Sequence, residues 1–204
     1  MSAPSTVFIV DDDPALRDAL SLLIEVEGIA VETFENAEAF LAACAPDWRG
    51  CLVSDVRMPG MNGLELQEEL ARRGITLPLI FLTGYGDIPM SVRAIKSGAV
   101  DFLTKPVTGT ALLAAVRAAL QEETRRLQEA ATSQAASARL ASLTEREKRV
   151  MELAIAGHAN KEIARLLDIS HRTVEIHKAR VMQKAGVASV LELARLATLG
   201  GLHA

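Results

Sequence analysis

Short apolar runs alternate with helical patterns over the first 120 residues of the chain. There are five such runs, which read TVFIVD, IAVETF, CLVSDV, PLIFLTG and DFLTK. They are nearly continuous rather than alternating, which is typical of parallel strands buried on both faces. The segments between them repeat apolar residues at spacings of three and four. These segments read PALRDALSLLIEVEG, NAEAFLAACA, GLELQEELARRG and DIPMSVRAIKSGA, and a last helix starts near Thr108. Five strand–helix units predict an α/β fold with a five-stranded, doubly wound parallel sheet over residues 5–120.

Residues 121–141 follow a different pattern, QEETRRLQEAATSQAASARLA, without Gly or Pro. Because this composition favours helix over flexible coil, we interpret the segment as an extension of the preceding helix into a helical linker. An apolar stripe that fades beyond Ala131 consists of Leu113, Val116, Leu120 and Leu127. A coiled coil, which needs a longer heptad pattern, is the less favoured alternative.

Residues 142–204 predict four short helices. Their ends are marked, in chain order, by Thr144 with Glu147 as a capping box, Gly157, Asn160 as an N-cap, Ser170 as an N-cap, and Gly186. The tight turn DIS separates the second helix, KEIARLLD, from the third, HRTVEIHKARVMQKAG, as in a helix-turn-helix. We expect an all-α domain whose core includes Ile163, Leu166, Val174 and Val181.

Charge is divided unevenly along the chain. Residues 1–141 carry 12 Lys and Arg against 19 Asp and Glu, a net charge of −7, whereas residues 142–204 carry 10 against 7, a net charge of +3. This asymmetry supports two domains, the second of which suits a polyanion such as nucleic acid. Aromatic residues make up only 3% of the chain, so we expect an aliphatic core and no deep aromatic-lined ligand pocket.

The sequence lacks the features of membrane or secreted proteins. No apolar run approaches the roughly 18 residues of a membrane-spanning helix. The N-terminus, MSAPSTVFIVDDD, has no basic region before an apolar stretch and does not predict a signal peptide. Cys44 and Cys51 lack metal-binding spacing, so we interpret them as small core residues in a reducing cytosol. We therefore expect a cytoplasmic protein with no membrane partner.

Polar residues end four of the predicted strands. In chain order they are Asp11, Asp12 and Asp13 after the first strand, Asp55 after the third, Thr83 after the fourth and Lys105 after the fifth. The carboxyl ends of parallel strands meet at one edge of the sheet, where ligands bind. Taken singly, each residue is more simply a cap, turn or loop residue, and Asp13 before Pro14 is expected to be a helix N-cap. The ordered combination on four strand ends instead indicates a site.

This set of side chains suits phosphoryl transfer onto a carboxylate. Clustered carboxylates repel each other unless a cation lies among them, and Mg²⁺ prefers carboxylates, waters and phosphate oxygens. Asp11, Asp12 and Asp55 supply such ligands, and an Asp beside a metal can attack phosphorus to form an aspartyl phosphate. Lys105 and the metal would offset the charge of the phosphoryl oxygens, and the Thr83 hydroxyl would hydrogen-bond the new phosphate.

The motifs VDDD, SDVRMPGMNG, LTGYGD and DFLTKP resemble those of the receiver domain of two-component response regulators over residues 5–120. The resemblance implies a flavodoxin-like receiver in which Asp55 is the phosphoacceptor, Thr83 and Lys105 contact the phosphate, and Lys105 precedes Pro106 through a cis peptide bond. Phe102 would fill the space that Thr83 leaves when it moves toward the phosphate, so both would be switch residues. The implied ligands of Mg²⁺ or Mn²⁺ are Asp11, Asp12, Asp55 and the Arg57 backbone carbonyl.

The resemblance also implies partners. A sensor histidine kinase would donate the phosphoryl group. The segment GYGDIPMSVRAIKSGAVDF resembles the FixJ-like branch of the family, and its face of the fourth helix and fifth strand would form a homodimer on phosphorylation. Such a protein is not an enzyme, although it would be able to dephosphorylate itself slowly.

Residues 140–204 resemble the LuxR-type (NarL-type) helix-turn-helix domain through LTEREKRVMELAIAGHANKEIARLLDISHRTVEIHKARVMQKAG. The implied recognition helix is about His171–Ala185, and the implied partner is promoter DNA, with RNA polymerase as a further candidate. Lys and Arg suit phosphate contacts, and Thr173, Glu175 and Ile176 suit base edges, whereas His177 is more simply a packing residue. The implied DNA contacts are Lys161, Arg172, Thr173, Glu175, Ile176, Lys178, Arg180 and Lys184.

We predict a phosphorylation-dependent transcriptional response regulator with a receiver (5–120), a helical linker (121–141) and a LuxR-type DNA-binding domain (142–204). One alternative is a haloacid-dehalogenase-type phosphatase, although SDVRM lacks the second Asp of the D-x-D motif of that class. A second is a phosphorylation-independent regulator that uses the receiver only for dimerisation. A third, a small-molecule-sensing LuxR-type receptor, is disfavoured because the first half of the chain resembles a receiver.

Overall fold

The computed structural model describes residues 5–84 and 98–201. The chain divides into two compact units, Met1–Arg126 and Leu127–Ala204, and each is described by itself. The helix predicted from DIPMSVRAIKSGA, residues 87–99, lies mostly outside the described residues. Most of the predicted dimer face lies outside them as well.

The first unit contains the predicted parallel sheet. Its strands are β1 (Thr6–Val10), β2 (Ala30–Phe34), β3 (Gly50–Asp55), β4 (Leu79–Thr83) and β5 (Asp101–Thr104). They are ordered β2-β1-β3-β4-β5, and every neighbouring pair is parallel. The order reverses at β1, so the crevice where ligands bind in such sheets lies between the carboxyl ends of β1 and β3. The predicted doubly wound fold is confirmed.

Eight helices occur within the described residues. They are α1 (Pro14–Glu25), α2 (Ala37–Ala43), α3 (Gly63–Arg72), α4 (Gly109–Ala141), α5 (Glu145–Ile155), α6 (Asn160–Leu167), α7 (His171–Ala185) and α8 (Val190–Leu199). The segment that we predicted as a helical linker is therefore helical and continues α4. No helix among the described residues has both the length and the apolar composition needed to cross a membrane.

Two apolar layers cover the two faces of the sheet. Phe8 and Val10 of β1 belong to one layer, and Val7 and Ile9 belong to the other, because successive side chains of a strand point to opposite faces. This two-sided burial explains the nearly continuous apolar runs. The prediction is wrong for β2, where Ala30, Glu32 and Thr33 are exposed, since β2 is an edge strand with one side unpaired.

The apolar stripe predicted along α4 lies on a slightly different face from the one expected. The fully buried residues are Leu112, Ala115, Val116 and Ala119, whereas Leu113 and Leu120 are only partly buried and Leu127 is 39% exposed. Val116 is thus confirmed as part of the buried stripe, whereas Ala115 and Ala119, which the prediction did not include, are buried beside it. Farther along, Ala136 and Leu140 are buried in a core cluster of the second unit.

A buried carboxylate joins α4 to the amino-terminal edge of the sheet. Glu123 is 6% exposed. One of its oxygens accepts a hydrogen bond of 2.6 Å from the Gly50 N–H, and the other accepts one of 3.2 Å from the Ser5 hydroxyl. The carboxylate thus satisfies the first N–H group of β3, which would otherwise be buried without a partner.

Most of the predicted helix caps are confirmed. The Asp13 carboxylate accepts from the N–H groups of Ala15 and Leu16, Thr144 and Glu147 form a reciprocal capping box, and Ser170 caps α7. The Asn160 prediction is wrong, because Ala159 is the N-cap of α6 and makes no side-chain cap bond, whereas Asn160 is the first helical residue.

The predicted core of the second unit is correct except at Leu166. Ile163, Val174 and Val181 are buried, but Leu166 is 57% exposed. Leu167 packs against the cluster of Ile163 instead. A helical turn of 3.6 residues allows partners at spacings of three or four, and the spacing of four from Ile163 is the one that α6 buries.

We expect Ile163→Ala and Leu166→Ala to differ sharply in stability. Loss of the buried Ile163 side chain should lower the free energy of unfolding by about 2–5 kcal/mol, because it leaves a cavity. Loss of Leu166 should change it by no more than about 0.5 kcal/mol. Urea unfolding followed by far-UV circular dichroism measures both. Equal losses would contradict the burial of α6 described above.

Candidate functional site

Acidic side chains meet at the carboxyl edge of the sheet, beside β1 and β3. Asp11 follows β1 directly and is fully buried, and Asp55, the last residue of β3, is 7% exposed. Oxygens of these two carboxylates and of the exposed Asp12 all lie within 4.8 Å of one another. The structure therefore brings together three of the four residues that the sequence suggested as metal ligands. The fourth, Arg57, follows on the loop after β3.

Backbone N–H groups hold one oxygen of each buried carboxylate. The N–H of Asp13 donates to Asp11 Oδ1 at 2.9 Å, and the N–H of Arg57 donates to Asp55 Oδ1 at 3.0 Å. These bonds fix the orientation of both carboxylates from the chain segment that follows each strand. They also place the Arg57 backbone beside Asp55.

Lys105 bridges the other two oxygens. Its Nζ lies 2.7 Å from Asp11 Oδ2 and 2.6 Å from Asp55 Oδ2, and a cis peptide bond links it to Pro106. Burial by itself would lower the pKa of the Lys105 amine, but hydrogen bonds and charge from Asp11 and Asp55 raise it above its ordinary value. The amine is therefore held as an ammonium beside the two acids.

The composition of the cluster suits a hard divalent cation. Three carboxylates face one ammonium, so the group carries a formal excess of two negative charges when all the acids are ionised. Its donors are oxygens, which Mg²⁺ and Mn²⁺ prefer over nitrogen or sulfur. Carboxylates at such an edge can also act as nucleophiles toward phosphorus.

Thr83 and Phe102 lie on the same face of neighbouring strands. Thr83 ends β4 and is 2% exposed. Phe102 of β5 is in register with Phe81, their ring centroids are 6.1 Å apart, and Phe81 shares the face of Thr83 because the two are separated by two positions. Phe102 is partly buried against the core layer.

Sequence reasoning missed two residues that shape this edge. Glu38 of α2 accepts a hydrogen bond of 3.0 Å from the Met61 N–H, in the loop between Asp55 and α3. The Arg17 guanidinium donates to the backbone carbonyl of Asp11. Both resemble ordinary solvent-exposed helix residues in the sequence, and no local pattern identifies their distant partners.

The second unit contains the predicted helix-turn-helix, formed by α6 and α7. Asp168 makes the turn in the left-handed conformation, with φ of 52°, and Arg146 donates to the Leu167 carbonyl at the end of α6. The buried side of α7 consists of Val174, Val181 and Ala185. The exposed side includes Arg172, Glu175, Ile176, Ala179 and Arg180, with Thr173, His177 and Lys178 partly buried.

Two predicted DNA-contact amines have partners inside the second unit. Lys184 Nζ lies 2.7 Å from Glu147 Oε2 and also donates to the Ser142 carbonyl at 3.3 Å. Lys178 Nζ donates to Asn160 Oδ1 at 3.0 Å. Lys184 thus joins the end of α7 to the start of α5.

Glu147 is held as a carboxylate by several donors. The Lys184 ammonium and the Thr144 N–H lower its pKa to about 2, although burial acts in the opposite direction. The same Glu147 oxygen is therefore a helix cap and an ion-pair partner.

Two family models match the chain. One, the response regulator receiver domain, matches residues 7–117, and the other, bacterial regulatory proteins of the luxR family, matches residues 141–197. The chain is a response regulator with a LuxR-type DNA-binding domain.

Relatives of this response regulator match it over nearly its whole length. It is 46% identical to the transcriptional regulatory protein FixJ of Azorhizobium caulinodans over 96% of this chain and 93% of that protein. It is 43% identical to the response regulator protein TodT of Pseudomonas putida over 94% of this chain and 85% of that protein. The first is a transcriptional regulatory protein and the second a response regulator protein, which disfavours the phosphatase alternative.

Two solved structures are similar to this chain over nearly its whole length. The response regulator StyR superposes with a TM-score of 0.83 at 45% identity, covering 96% of this chain and 99% of that one. Full-length FixJ from B. japonicum gives a TM-score of 0.58 at 42% identity, covering 98% of each. The predicted family and fold class are confirmed.

Gly63→Ala should damage the receiver edge, because a Cβ at this position would lie 2.4 Å from the Asp55 carbonyl oxygen. We expect the variant to lose about 1–3 kcal/mol of stability through overpacking. Gly84→Ala is the matched control, since a Cβ there would meet no atom of the described residues within 4 Å. Thermal unfolding followed by fluorescence of Trp48, the only tryptophan, measures both variants. Equal effects would contradict the close approach of α3 to Asp55.

The low pKa of Glu147 predicts acid sensitivity of the second unit. A carboxyl group with a folded-state pKa near 2 stabilises the fold above its ordinary pKa of 4.5, and this stabilisation is lost as the pH falls from about 5 toward 2. Glu147→Gln should lower the melting temperature at pH 7 and flatten its decline with acid. Lys184→Gln should flatten the decline in the same way, because it removes the largest cause of the low pKa. If the melting temperatures of both variants declined with acid as steeply as that of the wild type, the ion pair would be refuted.

Proposed function

We propose that this response regulator is controlled by phosphorylation of Asp55, which a sensor histidine kinase carries out. The observation that carries the proposal is the geometry at the carboxyl edge of the sheet, where Asp11, Asp12 and Asp55 converge and Lys105 bridges two of them. Asp11 and Asp55 are nearly buried and Asp12 is exposed, and such a group of acids beside a strand-end lysine supports a functional site.

The proposed reaction is a transfer between two protein side chains. An Asp55 carboxylate oxygen attacks phosphorus, the bond from phosphorus to a histidine nitrogen of the kinase breaks, and the electron pair leaves on that nitrogen. The backbone N–H of Arg57 holds the Asp55 carboxylate in position. Lys105, which already contacts Asp55 Oδ2, would then face the transferred phosphoryl oxygens and offset their charge.

Asp11, Asp12, Asp55 and the Arg57 carbonyl would hold the metal ion, Mg²⁺ or Mn²⁺. When bound, the ion supplies positive charge for the phosphoryl oxygens. The three clustered carboxylates support this assignment through their number, their separation and their formal charge.

The proposed response runs through Thr83 and Phe102. The Thr83 hydroxyl would move to the phosphate, and Phe102, whose ring centroid lies 6.1 Å from that of Phe81, would turn into the space that Thr83 leaves. This change would favour a homodimer through β5 and the helix predicted over residues 87–99, which precedes β5. Of that face, only β5 and its immediate surroundings belong to the described residues.

The dimer would present two recognition helices to promoter DNA in the cytoplasm, where RNA polymerase is a further candidate partner. Lys161, Arg172, Lys178, Arg180 and Lys184 are the candidate phosphate contacts, and Thr173, Glu175 and Ile176 are the candidate base contacts. The net charge of +3 on residues 142–204 is small, so one copy should bind weakly and two copies on a two-fold site should bind well.

Incubation with acetyl phosphate and Mg²⁺ tests the phosphoacceptor. Intact mass should show one added phosphoryl group on the wild type and none on Asp55→Asn. Asp13→Asn is the matched control, because Asn also caps helices well and Asp13 lies outside the proposed ligand set, so it should be modified like the wild type.

DNA binding before and after this treatment completes the test. Binding by the wild type should strengthen after treatment, and binding by Asp55→Asn should not change. Absence of an adduct, under conditions that modify another receiver, would refute the proposal and favour a regulator that uses its receiver only for dimerisation.

A further inference from the structure

The two lysines of α7 that have partners within the second unit differ in the charge of those partners. Lys184 contacts the carboxylate of Glu147, so its positive charge is largely neutralised inside the protein. Lys178 contacts the side-chain amide of Asn160, which is uncharged. An amide oxygen orients an ammonium group through one hydrogen bond but leaves its net charge intact.

The position of Asn160 is not explained by helix capping. Asn favours caps and turns over helix interiors, yet here it is the first helical residue of α6, and Ala159 occupies the cap position. Its Oδ1 accepts from Lys178 Nζ at 3.0 Å, across 18 residues of sequence. The side chain thus connects the start of α6 to the middle of α7, the two helices of the helix-turn-helix.

This contact restricts a flexible side chain. A lysine has four methylene groups and a compact charge, and it loses much rotamer freedom when it is held in one place. One of the three N–H donors of Lys178 is used by Asn160, which leaves two for another acceptor. Both residues are only partly buried, so neither side chain is enclosed in the core.

We propose that Asn160 is a positioning residue for DNA binding, which holds the Lys178 ammonium ready for a backbone phosphate. The inference rests on the proposed DNA-binding function and deepens it. Asn160 itself need not contact DNA. Its effect on affinity passes through Lys178, and it lowers the entropy that Lys178 loses on binding.

The test uses the full chain, treated with acetyl phosphate and Mg²⁺, and a fluorescein-labelled duplex of mixed sequence. Such a duplex reports phosphate contacts, which dominate sequence-independent binding. Fluorescence anisotropy at a series of salt concentrations gives the affinity and the slope of log K against log salt. Asn160→Ala should weaken binding about threefold to tenfold and shift the slope toward that of Lys178→Ala, which should lose about one phosphate contact. Gln183→Ala, an exposed polar change on the same helix, should bind like the wild type.

A double-mutant cycle identifies the route of the effect. In the Lys178→Ala background, Asn160→Ala should cause no further loss of affinity, because the residue that it positions is gone. Asn160→Asp should keep the melting temperature of the wild type but weaken binding, since a carboxylate would neutralise Lys178. The loss of DNA affinity caused by Asn160→Asp should be smaller in the Lys178→Ala background than in the wild type.

Three results would overturn the proposal. The first is equal binding by the wild type and Asn160→Ala. The second is an additive loss in the double variant, which would mean that Asn160 acts independently of Lys178. The third is an unchanged salt slope with a lowered melting temperature, which would show a purely structural role. Failure of the wild type to bind the duplex would overturn the proposed DNA-binding function, and the role of Asn160 with it.

Discussion

The repulsion between carboxylates that share one strand edge is the constraint on which the receiver depends. Asp11 and Asp55 come together because β1 and β3 are neighbours, and Lys105 reaches them from β5 at the far edge of the sheet. Without the ammonium, two nearly buried acids would lie together uncompensated, at a cost of several kcal/mol. With it, the cluster still carries a formal negative excess. The ammonium thus compensates part of the negative charge, and the excess that remains suits the divalent cation proposed above.

The two oxygens of each buried acid, Asp11 and Asp55, accept from different kinds of donor. Each Oδ1 accepts from a backbone N–H, whose position is set by the strand and the following turn. Each Oδ2 accepts a hydrogen bond from Lys105, and the long stem of this lysine can move without disturbing the backbone. A ligand that enters the cluster can therefore compete for the Oδ2 atoms while the Oδ1 atoms keep their partners. Such an arrangement allows local charge to change without unfolding the edge.

Local patterns predicted the fold and the cluster well because both follow from strand ends. The periodicity of the chain gave every strand and most caps, and the order of the sheet then brought Asp11, Asp12 and Asp55 together. The prediction failed where two neighbouring positions fit a helix equally well. Leu166 and Leu167 follow Ile163 at spacings of three and four, and Leu167 is the one that packs against the core. The contacts of Glu38 and Glu123 could not be predicted, because each joins residues far apart in the sequence and no local pattern marks a distant partner.

The helix-turn-helix shows the same limit in its charges. The sequence could identify the basic residues of α7, but not which of them the protein neutralises, since Lys184 and Glu147 are 37 positions apart. The ion pair and the capping box share one carboxylate, so the start of α5 and the end of α7 stabilise each other. The charge of Lys184 is therefore compensated by Glu147 in the protein without DNA. The charge of Lys178, which contacts an uncharged amide, is not. Counting basic residues therefore overstates the charge that α7 offers to a phosphate backbone, and the partner of each lysine is what separates fold stability from binding.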